Sequence, residues 1–127
     1  MNNALGLLGP AHRAGKIAFG EDKTSLAVRD KKARAICTAK DASDRVIAFA
    51  ENSGVPHLPL DVTKDELGAL IGKATCSQLA VLDIGIAASV AEKLSATNSK
   101  YSEAAATLSA LAERSRKRKH KKDSRKK

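Results

Sequence analysis

Histidine and cysteine are the residues of this chain best suited to nucleophilic or metal chemistry, and the 127-residue sequence has few of them. Two of the three histidines, His12 and His57, lie outside the basic C-terminal segment. Neither adjoins a Ser or Cys in a recognisable nucleophile motif. Cys37 and Cys76 are 39 positions apart and have no other Cys or His at metal-ligand spacing. These patterns predict two buried or semi-buried thiols in the reducing cytoplasm. They also predict a protein that is not an enzyme and has no catalytic residue, metal or cofactor.

A glycine-rich segment from Gly68 to Lys73 has the composition of a phosphate-binding loop. Its glycine spacing is one residue too short, and Ala74 stands where a Ser or Thr would hold magnesium. The segment also follows a predicted helix and precedes a predicted strand, which reverses the order that such a loop requires. The sequence therefore argues against a nucleoside-triphosphate site.

Positive charge is concentrated at the C-terminus. The formal net charge is +9, and residues 114–127 alone hold ten Lys or Arg against one Asp. In the remaining, neutral part, residues 13–40 carry eight basic and three acidic side chains, so a polyanion would meet that region first. We predict non-specific phosphate contacts in the tail by Arg114, Arg116, Lys117, Arg118, Lys119, Lys121 and Lys122.

The composition of the tail also fits other functions. Nuclear-localisation signals are equally rich in Lys and Arg. An anionic membrane would attract the same charges, but no apolar anchor adjoins them and no apolar run is long enough to cross a bilayer. We favour a nucleic-acid partner and no membrane.

Aromatic residues limit how this chain can bind nucleic acid. Phe19, Phe49 and Tyr101 are too few to build a platform on which bases stack. Contacts must then come from the backbone, from a helix N-terminus and from small side chains.

The segment Gly20–Lys23 fits that requirement. A glycine turn there opens a predicted helix whose first N–H groups can meet phosphates or base edges, with Arg13 and Lys16 nearby in the sequence. An ordinary helix start with solvated lysines explains the same residues, and spacing alone favours that interpretation.

Hydrophobic periodicity predicts helices alternating with short strands, hence an α/β fold: a three-layer α/β/α sandwich with a small mixed sheet. Pro10 is a flaw in the first predicted helix. The prolines on either side of His57 place the predicted strand that contains it at the periphery of the sheet. A capping box at Thr63 and Glu66 opens a helix. The predicted helices cover 3–14, 21–30, 43–52, 64–72, 84–96 and 102–113, and the strands cover 16–19, 34–40, 55–60 and 78–82.

Several short motifs occur in an order that resembles the ribosomal protein family typified by the archaeal L-seven-Ae and eukaryotic L-thirty-e proteins, in particular its small bacterial branch in Gram-positive organisms. The resemblance covers residues 2–96, and its most specific parts are the Gly20 turn and the segment from Glu66 to Gly72. The motifs are Arg13-Ala-Gly-Lys16, Gly20-Glu21-Asp22, Ala39-Lys-Asp41-Ala-Ser43, Val55-Pro56, Lys64-Asp-Glu-Leu67-Gly68-x-x-x-Gly72-Lys73 and Leu79-Ala-Val-Leu.

The resemblance implies binding to a kink-turn, a sharply bent RNA duplex with tandem sheared G·A pairs. Members of the family grip it with the helix N-terminus after the glycine turn and with the loop before the last strand, which covers a flipped-out nucleotide. By position, the first element is Lys16, Gly20, Glu21, Asp22 and Lys23, and the second is Lys73, Ala74, Thr75 and Cys76; Arg13 and Lys40 complete the predicted RNA-binding set.

The chain departs from the family pattern at two places in the first element. It has Asp22-Lys23 where the archetype has Asn-Glu, and Leu26 where the archetype has Lys. An Asp accepts hydrogen bonds from guanine but cannot donate as Asn does, so we expect altered or weaker kink-turn specificity.

We thus predict a cytoplasmic, monomeric RNA-binding protein with structured RNA, ribosomal RNA or the ribosome as partner. Its predicted parts are a domain over 1–96, a linker and extra helix over 97–113, and a disordered basic tail over 114–127. Two alternatives stay open: binding mainly through the tail, and an enzyme or small-molecule site that uses Cys76 or the Gly72 loop.

Overall fold

The computed structural model describes residues 2–125, with side chains from Ala4 to Arg118. A short 3₁₀ turn at Ser99–Tyr101 joins the last two helices. The elements are α1 (Asn2–Leu5), α2 (Leu8–Arg13), β1 (Ile17–Phe19), α3 (Glu21–Arg29), β2 (Ala35–Thr38), α4 (Asp44–Asn52), β3 (His57–Pro59), α5 (Lys64–Leu70), β4 (Gln78–Val81), α6 (Ile84–Thr97) and α7 (Ser102–Arg125).

The four strands form one mixed sheet in the order β1-β4-β2-β3. Strand β4 is antiparallel to β1 and β2, whereas β2 and β3 are parallel, so the mixed sheet and the peripheral place of the proline-flanked strand are confirmed. The pairing gives the sheet two ends. One end contains Phe19, Thr38 and Gln78, and we call it the Gly20 end. The opposite end contains the residues that precede β1 and β2 and those that follow β4, and we call it the Arg34 end.

Helices cover both faces of the sheet, as the sandwich prediction requires. Side chains alternate between faces along a strand. Leu79 and Val81 belong to the large apolar core that α1, α6 and α7 help to form. Ala80 and Ile36 are also fully buried but lie outside that core, on the face that α3 and α4 pack against.

Helix caps explain where several elements begin. The Ser43 side chain accepts a hydrogen bond from Val46 N–H at the start of α4. Thr63 and Glu66 form the predicted capping box at the start of α5. Asp83 caps α6 by accepting from Ile86 N–H, 3.0 Å away. Such caps satisfy N–H groups that would otherwise lack partners.

The break in the first helical segment differs from the prediction. The sequence placed the flaw at Pro10, but the chain turns at Gly6 and Leu7, and Pro10 lies within the first turn of α2. Proline is tolerated there because the first N–H groups of a helix have no partner inside the helix.

The C-terminal helix also differs from the prediction. We expected it to end near Glu113 and residues 114–127 to be disordered, but α7 continues to Arg125. Lys and Arg are good helix formers, no Gly or Pro follows Ser102, and positive charge suits the C-terminal end of a helix dipole. Residues 126 and 127 lie outside the described part of the chain. The first half of α7 packs against the rest of the fold, because its Ala105 and Leu108 are buried in the main core, as is Tyr101 of the preceding 3₁₀ turn.

Among the helices of residues 2–125, none combines the length and apolar character that a membrane crossing needs.

Candidate nucleic-acid interface

Gly20 joins β1 to α3 in a conformation that favours glycine. Its φ is 91° and its ψ 166°, a region of backbone space that residues with a Cβ rarely occupy. A Cβ at this position would meet open space, so backbone conformation rather than crowding makes glycine necessary. The Gly20 N–H donates to the carbonyl of Gln78 over 3.0 Å, which ties the turn to the first residue of β4.

The first turn of α3 is held firmly but leaves its N–H groups accessible. Thr24 is fully buried, and its hydroxyl donates to the Ala18 carbonyl over 3.3 Å. Gly20 supplies no side-chain cap, and the Thr24 N–H donates a hydrogen bond to the Gly20 carbonyl over 3.0 Å. Glu21 is drawn aside by Arg45, 2.8 Å from its carboxylate, whereas Asp22 and Lys23 are exposed.

The loop that follows α5 folds back on that helix. Gly72 has a φ of 74°, and the Lys73 N–H donates to the Gly68 carbonyl over 2.8 Å. A Cβ on Gly68 would lie 2.7 Å from the backbone of Thr75, so this close approach requires glycine. Sequence reasoning noted Gly68 in a family motif but missed this role, because the spacing of glycines does not reveal which backbone passes above them.

The α3 N-terminus and this loop meet at one carbonyl group. The Gln78 carbonyl accepts both the Gly20 N–H and the Cys76 thiol, the latter over 3.1 Å. Phe19 directly precedes Gly20 in the chain, and the Lys73 ammonium lies 5.2 Å from the centre of its ring. A cation over an aromatic face is attracted to it. We call the surface formed by Gly20–Lys23 and Lys73–Cys76 the glycine edge.

Cys76 takes part in this edge from the inside. Cys76 is only 3% exposed, which confirms the predicted buried thiol, and it supports the loop from beneath, whereas Lys73, Ala74 and Thr75 are exposed. Burial raises the pKa of Cys76 to about 11, and burial with the nearby Cys76 raises the pKa of Cys37 to about 12. Both thiols are therefore protonated near neutral pH, which argues against a nucleophilic cysteine.

The remaining predicted contacts of the body are divided between the two ends. Lys40 is exposed just beyond β2, at the Gly20 end. Arg13 ends α2 and is exposed, next to His12, whose ring meets Phe19 edge-on with centroids 6.5 Å apart. The Lys16 carbonyl accepts the Leu82 N–H at the Arg34 end, so its backbone lies across β1 from Gly20. The structure does not bring the Lys16 backbone to the glycine edge.

The basic half of α7 projects from the Arg34 end. Contact between Ser109 and Glu92, together with Ser115 lying near Ile84, shows that α7 runs antiparallel to α6. Arg114, Arg116, Lys117 and Arg118 are exposed, and Arg116 pairs with Glu113 over 2.7 Å. The side chains of Lys119, Lys121 and Lys122 lie outside the described ones. The described part of this charged end thus lies at the Arg34 end and away from the glycine edge.

The body histidines have structural surroundings. His57 is half-buried, its Nε2 lies 2.8 Å from the Thr38 hydroxyl, and burial lowers its pKa. Within the described residues, no group of three or more His, Cys, Asp or Glu is placed to hold a metal ion.

A three-layer sandwich with an uncapped helix N-terminus beside a glycine-supported loop defines the class of protein. Residues 2–91 match the profile described as the ribosomal protein L7Ae/L30e/S12e/Gadd45 family, and the chain belongs to this family. The resemblance found in the sequence is confirmed.

Two curated relatives match different shares of the chain. The protein named large ribosomal subunit protein eL30 of Sulfurisphaera tokodaii is 33% identical over 78 residues, which cover 58% of this chain and 74% of that protein. The protein named phosphate import ATP-binding protein PstB 2 of Shouchella clausii is 41% identical over 58 residues, 46% of this chain. The chain spans only 20% of that second relative's length.

Solved structures share the fold. A protein of unknown function from Bacillus halodurans superimposes with a TM-score of 0.64 at 24% identity, covering 72% of this chain and 96% of that one. The Giardia lamblia 15.5kD RNA binding protein superimposes with a TM-score of 0.57 at 21% identity, covering 69% of this chain and 78% of that one.

Proposed function

We propose that this protein is a non-enzymatic RNA-binding protein that recognises a kinked RNA helix through the glycine edge. The observation that carries the proposal is the shared Gln78 carbonyl, which holds the Gly20 turn and the Lys73–Cys76 loop side by side. Family membership and the relatives named for a ribosomal subunit and for RNA binding support it.

The α3 N-terminus supplies the contacts to the kink. Its first-turn N–H groups and the positive end of the helix dipole favour an electron-rich partner. The carboxylate of Asp22 accepts hydrogen bonds from guanine N–H groups, which sheared G·A pairs expose in the groove. Because the Asp22 carboxylate also repels nearby phosphates, we assign to it contacts with the RNA bases and not with the RNA backbone.

The Lys73–Cys76 loop supplies the cover for a flipped-out nucleotide. Ala74 and Thr75 are small and exposed, so a base can lie flat against them without an aromatic partner. Lys73 adds a positive charge whose position is limited by Phe19. Lys23 and Lys40 at the same end add phosphate contacts.

The proposal extends to the biological setting. We propose that the protein acts in the cytoplasm as a monomer, and that its RNA is ribosomal or another kink-turn RNA.

The second candidate function is RNA binding mainly through the positive charges of α7. It is favoured by four exposed Arg and Lys side chains between residues 114 and 118.

Competition binding tests the proposal on the full chain, since the core needs Leu108. Affinity is measured at ~150 mM salt, where non-specific binding is weak, for a kink-turn RNA and for the same RNA with its G·A pairs changed to Watson–Crick pairs. We expect at least a tenfold preference for the kink-turn. Equal affinity for the two RNAs contradicts the proposal.

A further inference from the structure

A cleft at the Arg34 end lies between the sheet and α7. It has a volume of about 250 Å³, and its lining includes Arg34, Pro56, Ile84, Ser115 and Arg118. We call it the arginine cleft. Pockets for drug-sized ligands measure roughly 300–1,000 Å³, so this volume suits one group of a larger molecule better than a free cofactor.

We propose that the arginine cleft binds the phosphate backbone of a second RNA segment, separate from the one at the glycine edge. This inference rests on the proposed RNA-binding function. It adds a second site, so that the protein binds two RNA segments at once.

The charges around the cleft are available for an anion. Arg34 and Arg118 are exposed and take part in none of the ion pairs found among the described residues. Among the described residues, no Asp or Glu lines the cleft. Arginine fits phosphate in particular, because its planar guanidinium can donate two parallel hydrogen bonds.

The position of Arg34 is fixed by the sheet. Its N–H donates to the Val81 carbonyl over 2.8 Å, so its backbone extends the β2–β4 pairing. Arg118 comes from the facing side, on a helix whose Ser115 and Leu111 also line the cleft. Two independent elements thus each contribute an arginine to the lining of one cleft.

The two sites face opposite ways along the strands. Strand β2 has four residues, which at about 3.3 Å each span ~13 Å between the ends. Helix α7 carries its backbone further from the sheet, to Arg125. One phosphate cannot occupy both ends, so simultaneous binding needs two separate groups of phosphates, on two RNAs or on two segments of one RNA.

Fluorescence anisotropy on the full chain tests this inference. The protein is first mixed with one equivalent of unlabelled kink-turn RNA, which leaves none in excess to fill the cleft, and its binding to a labelled straight duplex is then measured at ~100 mM salt. The double variant Arg34→Glu with Arg118→Glu is compared with Lys93→Glu, an exposed site on α6, with circular dichroism as a check of folding.

We expect duplex affinity to fall at least tenfold in the double variant and less than threefold in Lys93→Glu, while kink-turn affinity stays within threefold of the wild type. The salt dependence should also weaken by about one power of salt concentration per lost phosphate contact. The inference is overturned if the double variant binds duplex as Lys93→Glu does.

Other outcomes also decide the matter. Displacement of the duplex by poly-glutamate as readily as by RNA identifies a general acidic-ligand surface and contradicts an RNA site. Loss of duplex binding once the kink-turn RNA is bound shows one shared site, which also overturns the inference. A missing preference for the kink-turn contradicts the proposed function alone, because duplex binding at the arginine cleft is still measured.

Discussion

The glycine edge and the arginine cleft lie at opposite ends of one sheet and are built by different means. Main-chain hydrogen bonds set the glycine edge: Gly20 and Cys76 share the Gln78 carbonyl, and Lys73 is bonded to Gly68. Two long, exposed side chains, Arg34 and Arg118, dominate the cleft. A surface fixed by backbone can select an RNA shape, whereas exposed guanidinium groups select charge.

The difference has a measurable consequence. Binding at the glycine edge should depend on RNA geometry and weakly on salt, because it relies on N–H groups and small side chains. Binding at the cleft should depend steeply on salt and weakly on sequence. The two sites can therefore be distinguished by substitutions that change the dependence on RNA geometry without changing the dependence on salt, or the reverse.

The largest effect is expected from Gly68→Ala. Its Cβ would lie 2.7 Å from Thr75 backbone atoms, so the loop must move or the helix must distort. Overpacking of this kind costs about 1–3 kcal/mol of unfolding free energy. We expect that loss in chemical denaturation and at least a tenfold weaker kink-turn affinity, with duplex affinity unchanged. Wild-type kink-turn affinity in this variant would show that the loop does not contact RNA.

A pair of glycine variants separates conformation from function. Gly20→Ala and Gly54→Ala both place a Cβ at positive φ, 91° and 80°, with open space around it. Each should lose about 1–3 kcal/mol of stability in denaturant titrations. Only Gly20→Ala should weaken kink-turn binding, because Gly54 lies at the arginine cleft. An equal loss of kink-turn affinity in both variants would trace the effect to stability alone.

Lys73→Ala should have a smaller effect. It removes one charge and the contact with Phe19 while leaving the backbone of the loop unchanged. We expect kink-turn affinity to fall about three- to tenfold and its salt slope to decrease by about 1. Lys93→Ala, an exposed lysine on α6, is the matched control. Indistinguishable results for the two lysines would remove Lys73 from the interface.

The smallest effect concerns pH. Burial raises the pKa of Cys76 to about 11 from an ordinary value of 9.0, so the folded state favours the neutral thiol. Its contribution to stability is complete below pH 9 and is lost as pH rises through 11. Denaturation midpoints should fall over that range, and less so in Cys76→Ala. Rapid thiol alkylation at pH 7.5 in the folded protein would contradict this account and revive a reactive cysteine.

Much of the fold could be predicted because local signals and the fold agree. Ser43 and the Thr63–Glu66 box lie at helix starts, and the apolar runs around Cys37 and Leu79 became the two central strands. The extent of α7 could not be predicted in the same way. A dense run of positive charge suggests disorder, whereas helix propensity and the packing of Leu108 favour continuation.

The candidate site was less accessible to sequence reasoning. Gly20 and Lys73 could be paired only through a family resemblance, because the hydrogen bonds that join their segments involve the backbone of Gln78. The burial of Cys76 agrees with the predicted buried thiol, whereas the distance of the Lys16 backbone from the edge depends on strand direction, which no spacing specifies. Arg34 and Arg118 are far apart in the sequence, so their common cleft emerges only from the packing of α7.

The most direct test of the central claim is the ratio of affinities for kink-turn RNA and its Watson–Crick control, measured in the wild type and in the Arg34→Glu, Arg118→Glu variant. If shape is recognised at the glycine edge, removing charge at the other end weakens the control RNA more, and the ratio rises or stays constant. A ratio that falls to one in the variant would contradict the account, because it would show that the preference came from the arginine cleft.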